Sequence, residues 1–93
     1  MSVNVTMRPE LNDVLARLYD QEPGCAERVD ALLDVLAEDP GDRRVRRREL
    51  RSPPAPAPFW GFVVRGREED YLVLWQLVDA DTVVVRYLGP DLQ

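Results

Sequence analysis

The chain predicts an α+β fold in the order β-α-α-β-β-β, with a helical hairpin packed on one face of a sheet. Three observations carry this. A short alternating run opens the chain, from Ser2 to Met7. Two stretches with helical apolar spacing follow, divided by Glu22-Pro23-Gly24. Three hydrophobic runs separated by polar turns then extend to Leu88. Residues 1–93 make one domain, with no room for a second core.

Each element has a local cause. In Ser2–Met7 the side chains of Val3, Val5 and Met7 share one face, and Asn4 and Thr6 the other, as in a half-buried strand. Pro9 suits a first helical position, and Glu10 suits the positive end of a helix dipole. Leu11, Val14, Leu15, Leu18 and Tyr19 then form one stripe on a helix from about Pro9 to Asp20. Cys25, Val29, Leu32, Leu33 and Leu36 form a second stripe, which Asp39-Pro40-Gly41 ends. Both stripes need a cover, and a sheet supplies it.

The segment Arg43–Arg51 has only Val45 and Leu50 as apolar anchors, and helix, strand and loop all remain open for it. Ser52–Pro58 carries four prolines in seven residues and predicts an extended, polyproline-like connector. Phe59–Arg65 reads as a strand and Gly66–Asp70 as a hairpin turn. Tyr71–Val78 is apolar at nearly every position, the pattern of a central strand covered on both sides. After Asp79-Ala80-Asp81, Thr82–Leu88 is the last strand, ended by Gly89-Pro90.

Composition excludes several chemistries. The chain has no histidine, so it offers no Ser-His-Asp triad, no Cys-His pair and no imidazole zinc site. All 12 cations are arginine, which clamps phosphate or carboxylate well and shuttles protons poorly. Carboxylates and tyrosines remain as acid/base groups. The single Cys25 forms no internal disulfide, fits a reducing cytoplasm, and reads as a small buried apolar residue. No signal peptide and no membrane-spanning run are legible. The net charge of −5 is uneven: Arg43–Arg51 holds six arginines and one glutamate, a local +5 on a body of −10. Such a patch takes a specific anionic partner, pairs with the chain's own acids, or forms a solvated face.

The segments RPEL…VLARL, ALLDVLAEDPGD, RELRS and FVVRG…DYLVLWQLVDADTVVVRYLG resemble the RelE/ParE family of bacterial toxins over roughly residues 2 to 90. The resemblance implies a RelE-like fold: a strongly twisted antiparallel sheet, the helices on one face and a concave surface on the other. It also implies a cytoplasmic toxin with a cognate antitoxin. Ribosome-dependent members are metal-independent endoribonucleases that cleave mRNA, using basic residues to hold the RNA and arginine to stabilise the transition state. Arg46, Arg47, Arg48 and Arg51 match the family's basic stretch, which binds RNA or a partner. Arg65 matches a frequent basic position at the end of the following strand.

Two family positions differ. Leu72 stands where the family's Tyr-Arg-Val-Leu element has arginine, and Asp91 where its terminal Gly-His/Lys-Arg has arginine. The family's late tyrosine has no counterpart. Loss of such cations removes several kcal/mol of charge stabilisation. Arg86 and Tyr87 are the nearby substitutes, although strand alternation puts them on opposite faces. With Arg65 they are the candidate catalytic residues. The competing reading is a non-catalytic member acting by protein binding, as in ParE-like inhibition of DNA gyrase or in a partner-binding module. Tyr71, Trp75, Trp60 and Phe62 fit a sheet core better than a base-stacking platform. Glu68-Glu69-Asp70 reads as a solvated turn. No cofactor or metal is implied.

Overall fold

The computed structural model describes residues 3–50 and 59–91. Its elements are β1 (Asn4–Met7), α1 (Pro9–Gln21), α2 (Pro23–Glu38), β2 (Arg48–Leu50), β3 (Phe59–Val64), β4 (Tyr71–Asp79) and β5 (Thr82–Pro90). They form one five-stranded sheet in the order β1-β5-β4-β3-β2. The polyproline-like connector and Arg51 lie outside the described residues.

One segment left open by the sequence is placed, and one expectation is corrected. The arginine-rich segment contributes a strand of its own, β2, because Val45 anchors it more firmly than its composition suggests. Val45 is fully buried, and its carbonyl accepts the Trp75 indole N–H at 2.9 Å. From that anchor the Arg47 N–H donates to the Gly61 carbonyl at 3.0 Å, and Arg48 pairs with Gly61.

The sheet is also mixed, not antiparallel, since β1 runs parallel to β5. The cause is where the helices deliver the chain. The Val3 N–H donates to the Ala37 carbonyl, so α2 ends beside the start of β1. The Asn4 N–H donates to the Asp81 carbonyl, so β5 begins at that same end. Two antiparallel reversals, β3 to β4 and β4 to β5, then leave β5 running with β1.

Directly opposed residues share a face of a sheet. By register, Trp60, Phe62 and Val64 of β3, Tyr71, Val73, Trp75 and Leu77 of β4, and Val83, Val85 and Leu88 of β5 line one face. Leu18 of α1 and Cys25, Ala26, Val29 and Leu36 of α2 pack with these residues into a continuous core. Phe62, Tyr71 and Trp75 are buried in it, and Trp60 packs against it, so these aromatics build the core. Pro9 opens α1 as its spacing predicts. Tyr19, at the end of the α1 stripe, is exposed instead, and its hydroxyl donates to the Asp30 carboxylate of α2.

No described helix is long and apolar enough to cross a membrane.

Candidate functional site

The second face of the sheet carries Arg48, Leu72 and Tyr87. One cross-strand row is Arg48 (β2), Gly61 (β3), Leu74 (β4) and Tyr87 (β5), and the next is Val63, Leu72 and Gly89. Gly61 is needed in its row. A Cβ there would stand 2.7 Å from Leu74 Cδ2 and 2.9 Å from the Val73 carbonyl oxygen. Two β4 side chains on this face are sheltered: Leu72 is 9% and Gln76 6% exposed.

The decisive local feature is a β-bulge in β5. Leu74 pairs with Tyr87 and Trp75 pairs with Val85, so Arg86 has no opposite number. A bulge breaks alternation and lets neighbouring side chains share a face. The expectation that Arg86 and Tyr87 point to opposite faces is therefore corrected. Arg86 reaches Gln76, donating from Nε and Nη2 to its Oε1 at 3.3 and 3.2 Å, and Gln76 lies on the same face as Leu74. The Tyr87 ring lies against Gly89, where a Cβ would come within 2.8 Å of the phenol oxygen. The Tyr87 hydroxyl donates to the Pro90 carbonyl at 2.7 Å.

The arginines of the basic segment have separate fates. Arg46 is half-buried, with its guanidinium 4.6 Å from the Trp60 ring centroid and 5.6 Å from that of Trp75. Its Nε donates to the Pro40 carbonyl at 2.7 Å, so Arg46 bolts this loop to the sheet. Arg44 is held by the Asp42 carboxylate at 2.9 Å, and its side-chain and backbone hydrogen bonds pull the Asp42 carboxyl down to about 2. Arg48 pairs with both carboxylate oxygens of Asp91, at 3.3 and 3.1 Å. Among the described residues, Arg43 and Arg47 have exposed side chains and no acidic partner. Arg44, Arg47 and Arg48, with Leu32 and Val63, line an open cleft of about 490 Å³.

Arg65 lies just past β3, exposed, with its carbonyl accepting from Arg28 Nη2 at 2.5 Å. The structure thus brings Arg86, Tyr87, Arg48 and Asp91 to one face, gives Arg46 a packing role, and leaves Arg47 and Arg65 exposed at its margin.

Sequence reasoning missed two groups. Gln76, a lone polar residue in YLVLWQLV, is the seat of Arg86. Asp91 is an ion-pair partner as well as a departure from a motif. Cys25 is buried, and burial pushes its thiol up. Among the described residues no cluster of acids and cysteine could hold a metal ion. Comparison with protein-family models, with curated proteins and with solved structures finds no match for this chain.

Proposed function

We propose that this protein is a RelE/ParE-type toxin whose second sheet face binds and cleaves RNA through Arg86 and Tyr87. The observation that carries the reading is the bulge in β5, which gathers an arginine and a tyrosine on one face. RNA cleavage needs little else. The ribose 2′-hydroxyl gives its proton to solvent water as its oxygen attacks the adjacent phosphorus, the bond to the 5′-oxygen breaks, and a 2′,3′-cyclic phosphate remains. Arg86 would stabilise charge on the non-bridging oxygens. Tyr87 would give its phenolic proton to the departing 5′-oxygen after releasing the Pro90 carbonyl. Arg47 and Arg65, exposed at the margin, would hold flanking phosphates.

The test is inducible expression of Arg86→Ala and Tyr87→Phe beside the parent. Each loss of a transition-state contact is expected to reduce cleavage about 10²-fold or more, enough to restore growth. Unchanged toxicity in both variants refutes the assignment.

A second reading has its own support. Leu72 is a buried apolar residue at a position where the family has arginine, and Asp91 places a carboxylate at another. Both suit a surface that binds protein, such as DNA gyrase or an antitoxin, more than one that binds phosphate. Intact mRNA during growth arrest would favour that reading.

A further inference from the structure

The ion pair between Arg48 and Asp91 has an unusual placement. The other ion pair among the described residues, Arg44 with Asp42, joins residues two apart in a turn. Arg48 and Asp91 are 43 positions apart. In the sheet, β3 and β4 separate β2 from β5, which sets their backbones roughly 14 Å apart even before any offset along the strands. That exceeds the combined reach of an arginine and an aspartate on a flat sheet. Asp91 follows the last residue of β5, and the pair closes across β3 and β4.

The pair is also sheltered. The Asp91 side chain is 9% exposed and that of Arg48 35%. Asp91 is not free to drift, since its N–H donates to the Asp70 carbonyl at 2.8 Å. A fixed carboxylate thus holds both terminal nitrogens of Arg48 in the forked geometry that a phosphate would otherwise use. Arg48 shares its row with Tyr87, so this contact lies across the same face as the proposed RNA site.

We propose that Asp91 is an internal competitor for phosphate at Arg48, so that RNA entering this face must displace the carboxylate before Arg48 can contribute. The inference rests on the reading of this face as an RNA surface and specifies its regulation. Asp91 sets a threshold for binding. An RNA able to place a phosphodiester on Arg48 gains one more contact, and one that does not leaves the clasp shut.

The experiment is equilibrium binding of a short fluorescein-labelled single-stranded RNA, carrying a 2′-deoxy block against cleavage, over a salt series. Asp91→Asn is expected to tighten binding about tenfold at low salt and to steepen the slope of log K against log salt by about 1, one added phosphate contact. Combining Arg48→Ala with Asp91→Asn should abolish the gain, and Asp91→Glu should behave as the parent. In an otherwise unaltered chain, Arg47→Ala should flatten the slope by about 1 while Arg48→Ala changes it far less, a comparison that does not depend on Asp91→Asn folding.

An unchanged slope in Asp91→Asn, or a gain that persists without Arg48, overturns the competitor role while RNA binding itself stands. Equal slope losses in Arg47→Ala and Arg48→Ala overturn it too. Absence of RNA binding by parent and variant alike overturns the RNA reading, and the inference with it.

Discussion

Replacing Arg46 with alanine separates a structural arginine from a binding one. Arg46 stands over Trp60 and Trp75 at 4.6 and 5.6 Å and donates to the Pro40 carbonyl at 2.7 Å. For a half-buried guanidinium the ring contacts contribute about 1 kcal/mol and the hydrogen bond about 1 kcal/mol. The expected loss is therefore about 2 kcal/mol, or about 8–16 °C in Tm for a chain of this size. Urea unfolding followed by tryptophan fluorescence measures it, and both tryptophans lie at the site of change. Arg43→Ala and Arg47→Ala, whose side chains touch no described acid, should stay within about 0.5 kcal/mol of the parent. In a double-mutant cycle, Arg46→Ala and Trp60→Phe should be coupled. If Arg46→Ala unfolds within about 0.5 kcal/mol of the parent, the view that this loop is bolted through Arg46 is wrong.

Other outcomes follow from the same geometry. Gly61→Ala forces a Cβ against the Val73 carbonyl and Leu74, and should cost about 1–3 kcal/mol in denaturant unfolding. Asp42 is held down to about 2 in the folded protein by Arg44, below its unfolded value of about 3.9. Its contribution to stability is thus present above that unfolded value and is lost as pH falls through about 2. Urea midpoints recorded from pH 4 downward should fall less in Asp42→Asn than in the parent. The Tyr19 hydroxyl is raised to about 12, chiefly by its hydrogen bond to Asp30. Ultraviolet titration of folded protein should show its phenolate forming late, and Asp30→Asn should bring it forward. Cys25, buried, should resist a thiol reagent until the chain unfolds.

The helices and long strands were legible because their signals are local. Helical spacing, Pro9 and the Glu22-Pro23 break place α1 and α2 to within a residue or two. Alternation and turn residues do the same for β3, β4 and β5. What was not legible depends on distant partners. β2 is three residues with two charges, and it becomes a strand because Val45 and the Trp75 indole seat it beside β3. The parallel pairing of β1 depends on where α2 ends, which no local pattern encodes.

The site shows the same division. Arg48 and Asp91 are 43 residues apart, and neither has a local signal for the other. The bulge at Arg86 shows only in the burial pattern of the folded chain. The buried valines Val83 and Val85 are two apart, but the next buried residue, Leu88, is three further on, one more than alternation allows. In the sequence Val84 and Tyr87 are apolar too, so the slip is hidden there, and the register alone puts Arg86 and Tyr87 on one face.

The most direct test of the central claim is to map mRNA 5′ ends in a bacterial host after inducing the protein, with plasmid supercoiling followed in parallel. Growth arrest with new mRNA ends, unchanged supercoiling, and loss of both arrest and ends in Arg86→Ala are the expected outcome. Growth arrest with intact mRNA and failing supercoiling, or no arrest at all, would contradict it.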